Sequence, residues 1–249
     1  TIGFTLERIA EQTLPATVAI FVNSLSTDDS PSIVDDWIAR NATRCSTQFL
    51  NVCEDTQAPG SSKNVGIRRA QTEWIAFMDC GQNFPRDWLE RQVRFAQTNA
   101  LDIVSGVVYL TGSNWVDRCA IAQTYGYQRK RPCVPGSLIR RSIFERTGLF
   151  TENRRAGYDV AWLRRMNSLG LARGVNEEAS IEYIGTNFAA TLPRLFAKSV
   201  LYAKPSVGLP GYRVPYAYAA LSAAFPFVLA SAPAIAALLF GLYFLARTF

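Results

Sequence analysis

The sequence contains no histidine in 249 residues. This absence excludes catalytic triads that use histidine, imidazole metal sites and histidine general bases. Any general base must therefore be a carboxylate, a lysine, a tyrosine or a cysteine.

Cysteine is scarce as well. The five cysteines are odd in number, and no two have Cys-x-x-Cys spacing: Cys45, Cys53, Cys80, Cys119 and Cys133. This arrangement indicates neither a zinc site nor a disulfide framework. Unpaired thiols favour a reduced, cytosolic compartment.

Charged residues are missing altogether from residues 214–246. About 20 apolar residues span a bilayer as a helix, so this segment is long enough for one tilted span or for two short helices bent near Pro226 or Pro233. We therefore expect residues 214–249 to form a membrane segment. A helix buried in a protein core is the alternative.

The residues around this segment predict its orientation. Four basic residues lie upstream and one lies downstream: Arg194, Lys198, Lys204 and Arg213, then Arg247. Basic residues favour the cytoplasmic side, so we expect an inner-membrane protein whose globular domain faces the cytoplasm.

The connecting residues 189–213 place Leu192, Leu195 and Phe196 on one helical face, with Arg194 and Lys198 pointing away. This pattern predicts an interfacial amphipathic helix with its apolar face in the lipid headgroups. A surface helix that packs on its own domain fits the same pattern.

The overall charge is positive, with 26 Lys and Arg against 20 Asp and Glu. Such a balance suits a phosphate-bearing substrate or an anionic membrane surface. No recognised helical or zinc module accompanies the charge, so we expect no nucleic-acid partner.

Helical and strand patterns alternate along the first part of the chain. The predicted helices are 2–12, 31–42 and 62–70, and the predicted strands are 17–22, 47–53 and 74–78. Alternation of this kind predicts an α/β three-layer domain with a mostly parallel sheet and with ligands at the carboxyl ends of the strands. Asp79 follows the last of these strands directly.

Several short motifs share an order that resembles glycosyltransferase family 2. A glycine-led loop at Gly60 opens a helix with KNVG at residues 63–66, where that family has Arg-Asn-x-Gly. The turn DCG at residues 79–81 runs into WLE at residues 88–90, and GYD at residues 157–159 stands where the family has Glu-Asp. The resemblance extends from Leu6 to about Tyr202 and implies a GT-A-like domain over residues 1–188.

The resemblance also implies roles for individual residues. Asp159 would be the catalytic base that accepts the acceptor's hydroxyl proton, although an aspartate that caps the following helix is the alternative. Asp79 would bind a divalent cation, Mn²⁺ or Mg²⁺, together with the donor diphosphate. The nucleotide-sugar would contact five residues: Asn23, Ser24, Lys63, Asn64 and Asp79.

The chain departs from the family pattern at several positions. Gly81 replaces the second acid of the metal-binding pair, Asn23 and Ser24 replace acids at the base and ribose, and Tyr158 replaces the glutamate of Glu-Asp. The family's first strand has no counterpart before the first helix. The Gln-x-x-Arg-Trp motif of processive enzymes is also absent, so we expect no processive synthase.

Two hypotheses follow. The first is a membrane-anchored inverting glycosyltransferase that moves a sugar from a nucleotide-sugar to a lipid or polysaccharide acceptor. The second is a catalytically silent protein of the same fold, kept as a scaffold or accessory subunit of a larger membrane complex. A binder of lipid or polyanion that uses no nucleotide is a third reading, based on the charge and the apolar segment alone.

Overall fold

The structure is a computed structural model that describes residues 2–124, 128, 130–155, 157–184, 193 and 214–248. The chain divides into two compact units. The first unit comprises Thr1–Tyr109 and Lys130–Thr186, and the second comprises Leu110–Arg129 and Asn187–Phe249.

The first unit follows the predicted alternation closely. Its elements are α1 (Ile2–Ala10), β1 (Val18–Asn23), α2 (Ser30–Asn41), β2 (Gln48–Cys53), α3 (Pro59–Arg69), β3 (Trp74–Ala76), β4 (Gln82–Asn83), α4 (Trp88–Thr98) and β5 (Ile103–Leu110). After α5 (Trp115–Thr124), which belongs to the second unit, come β6 (Arg131–Arg140), α6 (Arg141–Thr147), α7 (Tyr158–Ser168), β7 (Arg173–Val175) and β8 (Ile181–Tyr183).

The strands form a mixed arrangement. β1 and β2 pair in parallel, with Val18 opposite Gln48 and Asn23 opposite Cys53. The larger sheet has the order β3-β6-β5-β8-β4, and β7 pairs with β5 in parallel. However, β6 runs antiparallel to both β3 and β5, and β4 runs antiparallel to β8. The prediction of a mostly parallel sheet is therefore not confirmed.

Helices cover both faces of the β5–β6 pair, as the three-layer prediction requires. Ile103 and Ile139 lie in one apolar cluster, which also contains Trp162 of α7. Their sequence neighbours Val104 and Leu138 lie in another cluster, with Ala96 of α4. Successive side chains of a strand point to opposite faces, so each strand contributes to both clusters.

The cluster below α7 is aromatic and fixes the position of that helix. Trp162 is 1% exposed, stacks on Phe144 with ring centroids 5.5 Å apart, and contacts Phe150 at 5.1 Å. Its indole N–H donates to Thr147 Oγ1 at 2.9 Å. Buried tryptophan needs such a partner for its polar edge, and the result is a rigid base for the residues that begin α7.

The second unit contains α5, α8 (Val214–Ser231) and α9 (Pro233–Thr248). α9 packs against α5 and α8, and Ala236 is buried there. The break between α8 and α9 falls immediately before Pro233, one of the two positions where the sequence predicts a bend.

The described helices give the predicted membrane span no support. Within the part of the chain that the structure describes, no helix combines the length and the apolar character needed to cross a bilayer. Apart from Pro193, the predicted interfacial helix at residues 189–213 lies outside the described residues.

Candidate functional site

A charged cluster lies beyond the end of β3, where the carboxylate of Asp79 contacts side chains from two other elements. Lys63 Nζ, from α3, lies 2.9 Å from Asp79 Oδ1. Tyr183, the last residue of β8, donates its hydroxyl proton to Asp79 Oδ2 at 2.7 Å. The side chain of Lys63 is 13% exposed and that of Asp79 is 35% exposed. The pair is therefore sheltered but still open to a ligand on the aspartate side.

The pKa values of this cluster show that it is a charged pair. Burial alone would raise the pKa of Asp79, but the ammonium of Lys63 and the hydrogen bond from Tyr183 outweigh it and lower that pKa. Burial alone would lower the pKa of Lys63, but Asp79 and Tyr158 raise it. Burial and the nearby Asp79 also raise the pKa of Tyr183, so its hydroxyl keeps its proton. The cluster therefore holds one cation and one anion over the neutral pH range.

Tyr158 stands beside this pair at the start of α7. Lys63 Nζ lies 5.6 Å from the centre of the Tyr158 ring, within the range of a cation–π contact. The helix α3 reaches this position because Gly60 has no side chain: a Cβ there would collide with the carbonyl oxygen of Thr151 and would lie 3.0 Å from Tyr158 Cβ. The glycine at the start of α3 thus permits a close approach of α3 to α7.

Asp159 follows Tyr158 in the first turn of α7. Its Oδ1 accepts the N–H of Val160 at 2.9 Å, while the N-cap position belongs to Gly157, which has φ +74°. The neighbouring Tyr158 lies beside Lys63, which in turn contacts Asp79, so the structure brings Asp79 and Asp159 to the same region of the first unit.

Asn64 has another role than the one predicted. The residue is fully buried, and its amide nitrogen donates to the Phe150 carbonyl at 2.9 Å and to Glu152 at 3.0 Å. Its amide oxygen accepts the N–H of Phe150 at 3.0 Å. Asn64 therefore ties α3 to the loop before α7, and contact with a donor would require these bonds to break.

The ends of β1 and β2 form a second polar group. Ser24 Oγ donates to Glu54 Oε2 at 2.6 Å, and Ser62 Oγ of α3 donates to the same oxygen at 3.2 Å. Asn23 accepts the Ser26 N–H through its side chain and the Glu54 N–H through its carbonyl. Glu54 is 7% exposed. Ser62 precedes Lys63 in α3, so the two polar groups adjoin at the start of that helix.

The predicted metal site has one carboxylate. Gly81 has φ +79°, a conformation that favours glycine, so this turn is not shaped for a second acid. Among the described residues, no group of three or more His, Cys, Asp or Glu could hold a metal ion. An ionised carboxylate offers about four lone-pair sites, and Lys63 and Tyr183 use two of those of Asp79. Asp79 therefore fits a cation as its one protein carboxylate among the described residues, with the oxygens of a bound diphosphate as further ligands.

Comparison with known families agrees with the motifs. The model of the family "Glycosyl transferase family 2" matches residues 1–148, more than half of the chain. The chain belongs to glycosyltransferase family 2. This match covers Asn23, Ser24, Lys63, Asn64 and Asp79, whereas Asp159 lies beyond it.

Curated relatives carry glycosyltransferase names. A Bacillus subtilis (strain 168) protein named as a glycosyltransferase, EpsH, is 25% identical over 201 residues, which are 80% of this chain and 53% of that protein. A Haemophilus influenzae protein named as an uncharacterized glycosyltransferase is 30% identical over 87 residues, which are 35% of this chain and 33% of that protein. The chain thus spans about half (53%) of the length of EpsH.

Solved structures share the fold. The mannosyltransferase PcManGT from Pyrobaculum calidifontis, in complex with GDP-Man and Mn²⁺, has a TM-score of 0.54 at 18% identity and covers 99% of this chain and 81% of its own. S. aureus TarS 1-349 in complex with UDP-GlcNAc has a TM-score of 0.54 at 14% identity and covers 84% and 63%. At these identities the likeness shows an α/β GT-A-like fold with a mixed sheet.

The sequence motifs predict Lys63, Asp79 and Asp159 as site residues, and the structure places these three in one region of the first unit. The motifs do not predict Tyr183 or Glu54. For Glu54 a signal existed, because the residue directly follows a strand that is parallel to β1, and the ends of adjacent parallel strands meet at one edge.

Proposed function

We propose that this protein is an inverting glycosyltransferase that moves a sugar from a nucleotide-sugar to the hydroxyl of a lipid or polysaccharide acceptor. The observation that carries the proposal is the grouping of Lys63, Asp79 and Asp159 in one unit of a family 2 chain. The two solved relatives, with GDP-Man and with UDP-GlcNAc, support a nucleotide-sugar as the donor class.

The reaction needs a base and a site for a departing anion. The acceptor oxygen forms a bond to the anomeric carbon, while the bond from that carbon to the diphosphate oxygen breaks on the opposite side. In this proposal Asp159 takes the acceptor proton, and the ammonium of Lys63 stabilises the charge that develops on the nucleoside diphosphate. The buried Trp162 cluster and the Asn64 bonds hold the start of α7 against α3, so that base and cation keep a fixed separation.

A divalent cation, Mn²⁺ or Mg²⁺, remains part of the proposal. PcManGT was solved with Mn²⁺, which supports this cofactor class. When bound, the ion supplies positive charge to the diphosphate, with Asp79 as its one protein carboxylate.

Donor binding provides the test. A nucleoside diphosphate that binds the folded state stabilises it by about 2.7 kcal/mol at 100 times its Kd. For a protein of this size we expect the melting temperature to rise by about 5–10 °C with a UDP-, GDP- or dTDP-sugar plus Mn²⁺. Asp79→Asn should reduce the part of this shift that depends on Mn²⁺.

The same experiment distinguishes the transferase from the second hypothesis, a catalytically silent subunit. A silent subunit should show no shift with any of the three donors, and it should instead copurify with membrane proteins in mild detergent. A chain that gives no donor-induced shift in the presence or absence of Mn²⁺ contradicts the transferase proposal.

We further propose that the second unit attaches the protein to the inner membrane, with the first unit in the cytoplasm. The support is the apolar surface of α8 and α9, where the side chains of Phe227, Leu238 and Phe240 are 77%, 61% and 58% exposed. Several large apolar side chains exposed on two neighbouring helices favour an interaction surface, and the basic residues upstream suit anionic lipid.

Fractionation of cells tests this attachment. We expect the protein in the membrane pellet and expect Leu238→Asp with Phe240→Asp to move it toward the supernatant, because a charged side chain is costly to place in lipid. Recovery of the unaltered protein in the supernatant at low salt contradicts the proposal.

A further inference from the structure

Glu54 is a buried carboxylate that the proposed reaction does not use. It lies behind the half-buried Ser24, at the edge where β1 and β2 end and α3 begins. Three donors reach it: Ser24 Oγ at 2.6 Å and Ser62 Oγ at 3.2 Å contact Oε2, and the Thr56 N–H contacts Oε1 at 2.7 Å. A buried acid with this many donors orients the groups around it.

The charge state of Glu54 decides the direction of these hydrogen bonds. Burial alone would raise its pKa, but the hydrogen bonds from Ser24, Thr56 and Ser62 outweigh burial and lower that pKa. The group is therefore an ionised carboxylate at neutral pH, and an ionised carboxylate can only accept. The single hydroxyl proton of Ser24 is thus committed to Glu54.

A hydroxyl group that already donates its one proton in a hydrogen bond can take part in further hydrogen bonds only as an acceptor. Ser24 Oγ keeps two lone pairs, and within the described part of the chain no group donates to it. The side chain is half-buried, so these lone pairs are open to a ligand. Ser24 therefore presents a fixed acceptor at the edge of the sheet.

We propose that Glu54 is a positioning residue that makes Ser24 an obligate acceptor for the base of the donor nucleotide, and so selects bases with a ring N–H. This inference rests on the proposed function, which places the donor diphosphate at Lys63. The inference adds that the base of the same nucleotide lies at Ser24. The two positions adjoin, since Ser62, the other hydroxyl on Glu54, directly precedes Lys63 in α3. Uracil, thymine and guanine carry a ring N–H at this edge, whereas cytosine and adenine present a ring nitrogen that only accepts.

The expected discrimination is clearest between two pyrimidines of nearly equal size. CDP held in the same pose as UDP would place its ring acceptor against the lone pairs of Ser24, and its nearest donor, the exocyclic amino group, would be out of line. An unsatisfied buried polar group costs roughly 1–3 kcal/mol, so we expect UDP to bind about 5- to 150-fold more tightly than CDP. GDP should likewise bind more tightly than ADP.

Glu54→Gln is the decisive variant, since it replaces an oxygen that accepts hydrogen bonds by an NH₂ group that donates them and keeps the shape of the side chain. The Thr56 N–H requires an oxygen, so the amide oxygen takes the place of Oε1 and the NH₂ group faces Ser24 and Ser62. Ser24 then accepts from the amide, and its own proton is free to donate to a ligand. We expect the UDP to CDP preference to shrink at least tenfold or to invert, while the melting temperature stays near that of the parent.

The experiment titrates UDP, CDP, GDP and ADP into the parent, Glu54→Gln and Ser24→Ala. Ser24→Ala removes donor and acceptor together, so it should abolish the preference without inverting it. Equal binding of UDP and CDP to the parent overturns this inference but leaves the proposed function standing. A preference that is the same in parent and Glu54→Gln removes Glu54 from base selection. Failure of all four nucleotides to bind the folded parent overturns both proposals.

Discussion

Asp159→Asn should lower the rate of sugar transfer by about 10²- to 10⁴-fold and leave nucleotide affinity nearly unchanged. A general base contributes a factor of this size, because it removes the acceptor proton as the new bond forms. The donor diphosphate has no proton to give to Asp159, so donor binding has no reason to weaken. Transfer of labelled sugar gives the rate, and calorimetric titration of the nucleoside diphosphate gives the affinity.

The substitution is well matched to the local structure. Asp159 Oδ1 accepts the Val160 N–H, and asparagine keeps an oxygen at that place. Asp159→Ala removes this bond and the acid from the first turn of α7, and it should cost about 0.3–1 kcal/mol of stability in addition to activity. If Asp159→Asn and the parent transfer sugar at equal rates, Asp159 is not the catalytic base.

Local pattern predicted most elements of the first unit, but not how its strands pair. The strands expected at residues 17–22 and 47–53 appear as Val18–Asn23 and Gln48–Cys53, and they are parallel because α2 crosses between them. After β3 the chain contributes β4 to β8, and apart from the β5–β6 pair their partners are not the next strand in sequence. Hydrophobic periodicity reports which face of a strand is buried and says nothing about the direction of its neighbour. The antiparallel half of the sheet was therefore not predictable.

The candidate site shows the same limit. Asp79 and Lys63 lie 16 residues apart and could be associated through a motif, whereas Tyr183 lies 104 residues from Asp79. Nothing in the sequence around Tyr183 identifies it as a partner of a carboxylate. Asn64 was predicted from the motif as a donor contact, but its burial and its bonds to Phe150 and Glu152 could only be known from the packed structure.

Lys63→Met should weaken binding of the nucleoside diphosphate by about 10- to 150-fold in the absence of metal. Hydrogen bonds to charged groups contribute about 1.5–3 kcal/mol, and this ammonium is the one cation that the structure places against Asp79 among the described side chains. Methionine has a similar length and can fill the space beside the Tyr158 ring without carrying charge. Affinity measured by titration in EDTA is the readout.

Lys63→Arg is the control, since it restores the residue that the resembling motif carries and keeps the positive charge. We expect this variant to bind within about tenfold of the parent, because arginine retains charged donors for phosphate but with another geometry. Loss of affinity in Lys63→Met with little loss in Lys63→Arg identifies charge, and not packing, as the contribution of Lys63. Equal affinity in all three proteins places the diphosphate elsewhere.

The response of Lys63→Met to metal then tests how Asp79 is shared. The ammonium of Lys63 lies 2.9 Å from Asp79 Oδ1 and competes with any cation for that oxygen. Without the ammonium, the pKa of Asp79 should rise, because burial raises it and Lys63 is the largest influence that lowers it. The oxygen that Lys63 contacts then becomes available to Mn²⁺, whose charge favours the ionised form of the carboxylate. We therefore expect Mn²⁺ to restore more affinity in Lys63→Met than it adds in the parent, and an equal gain in both proteins would show that Asp79 is not the ligand of the metal.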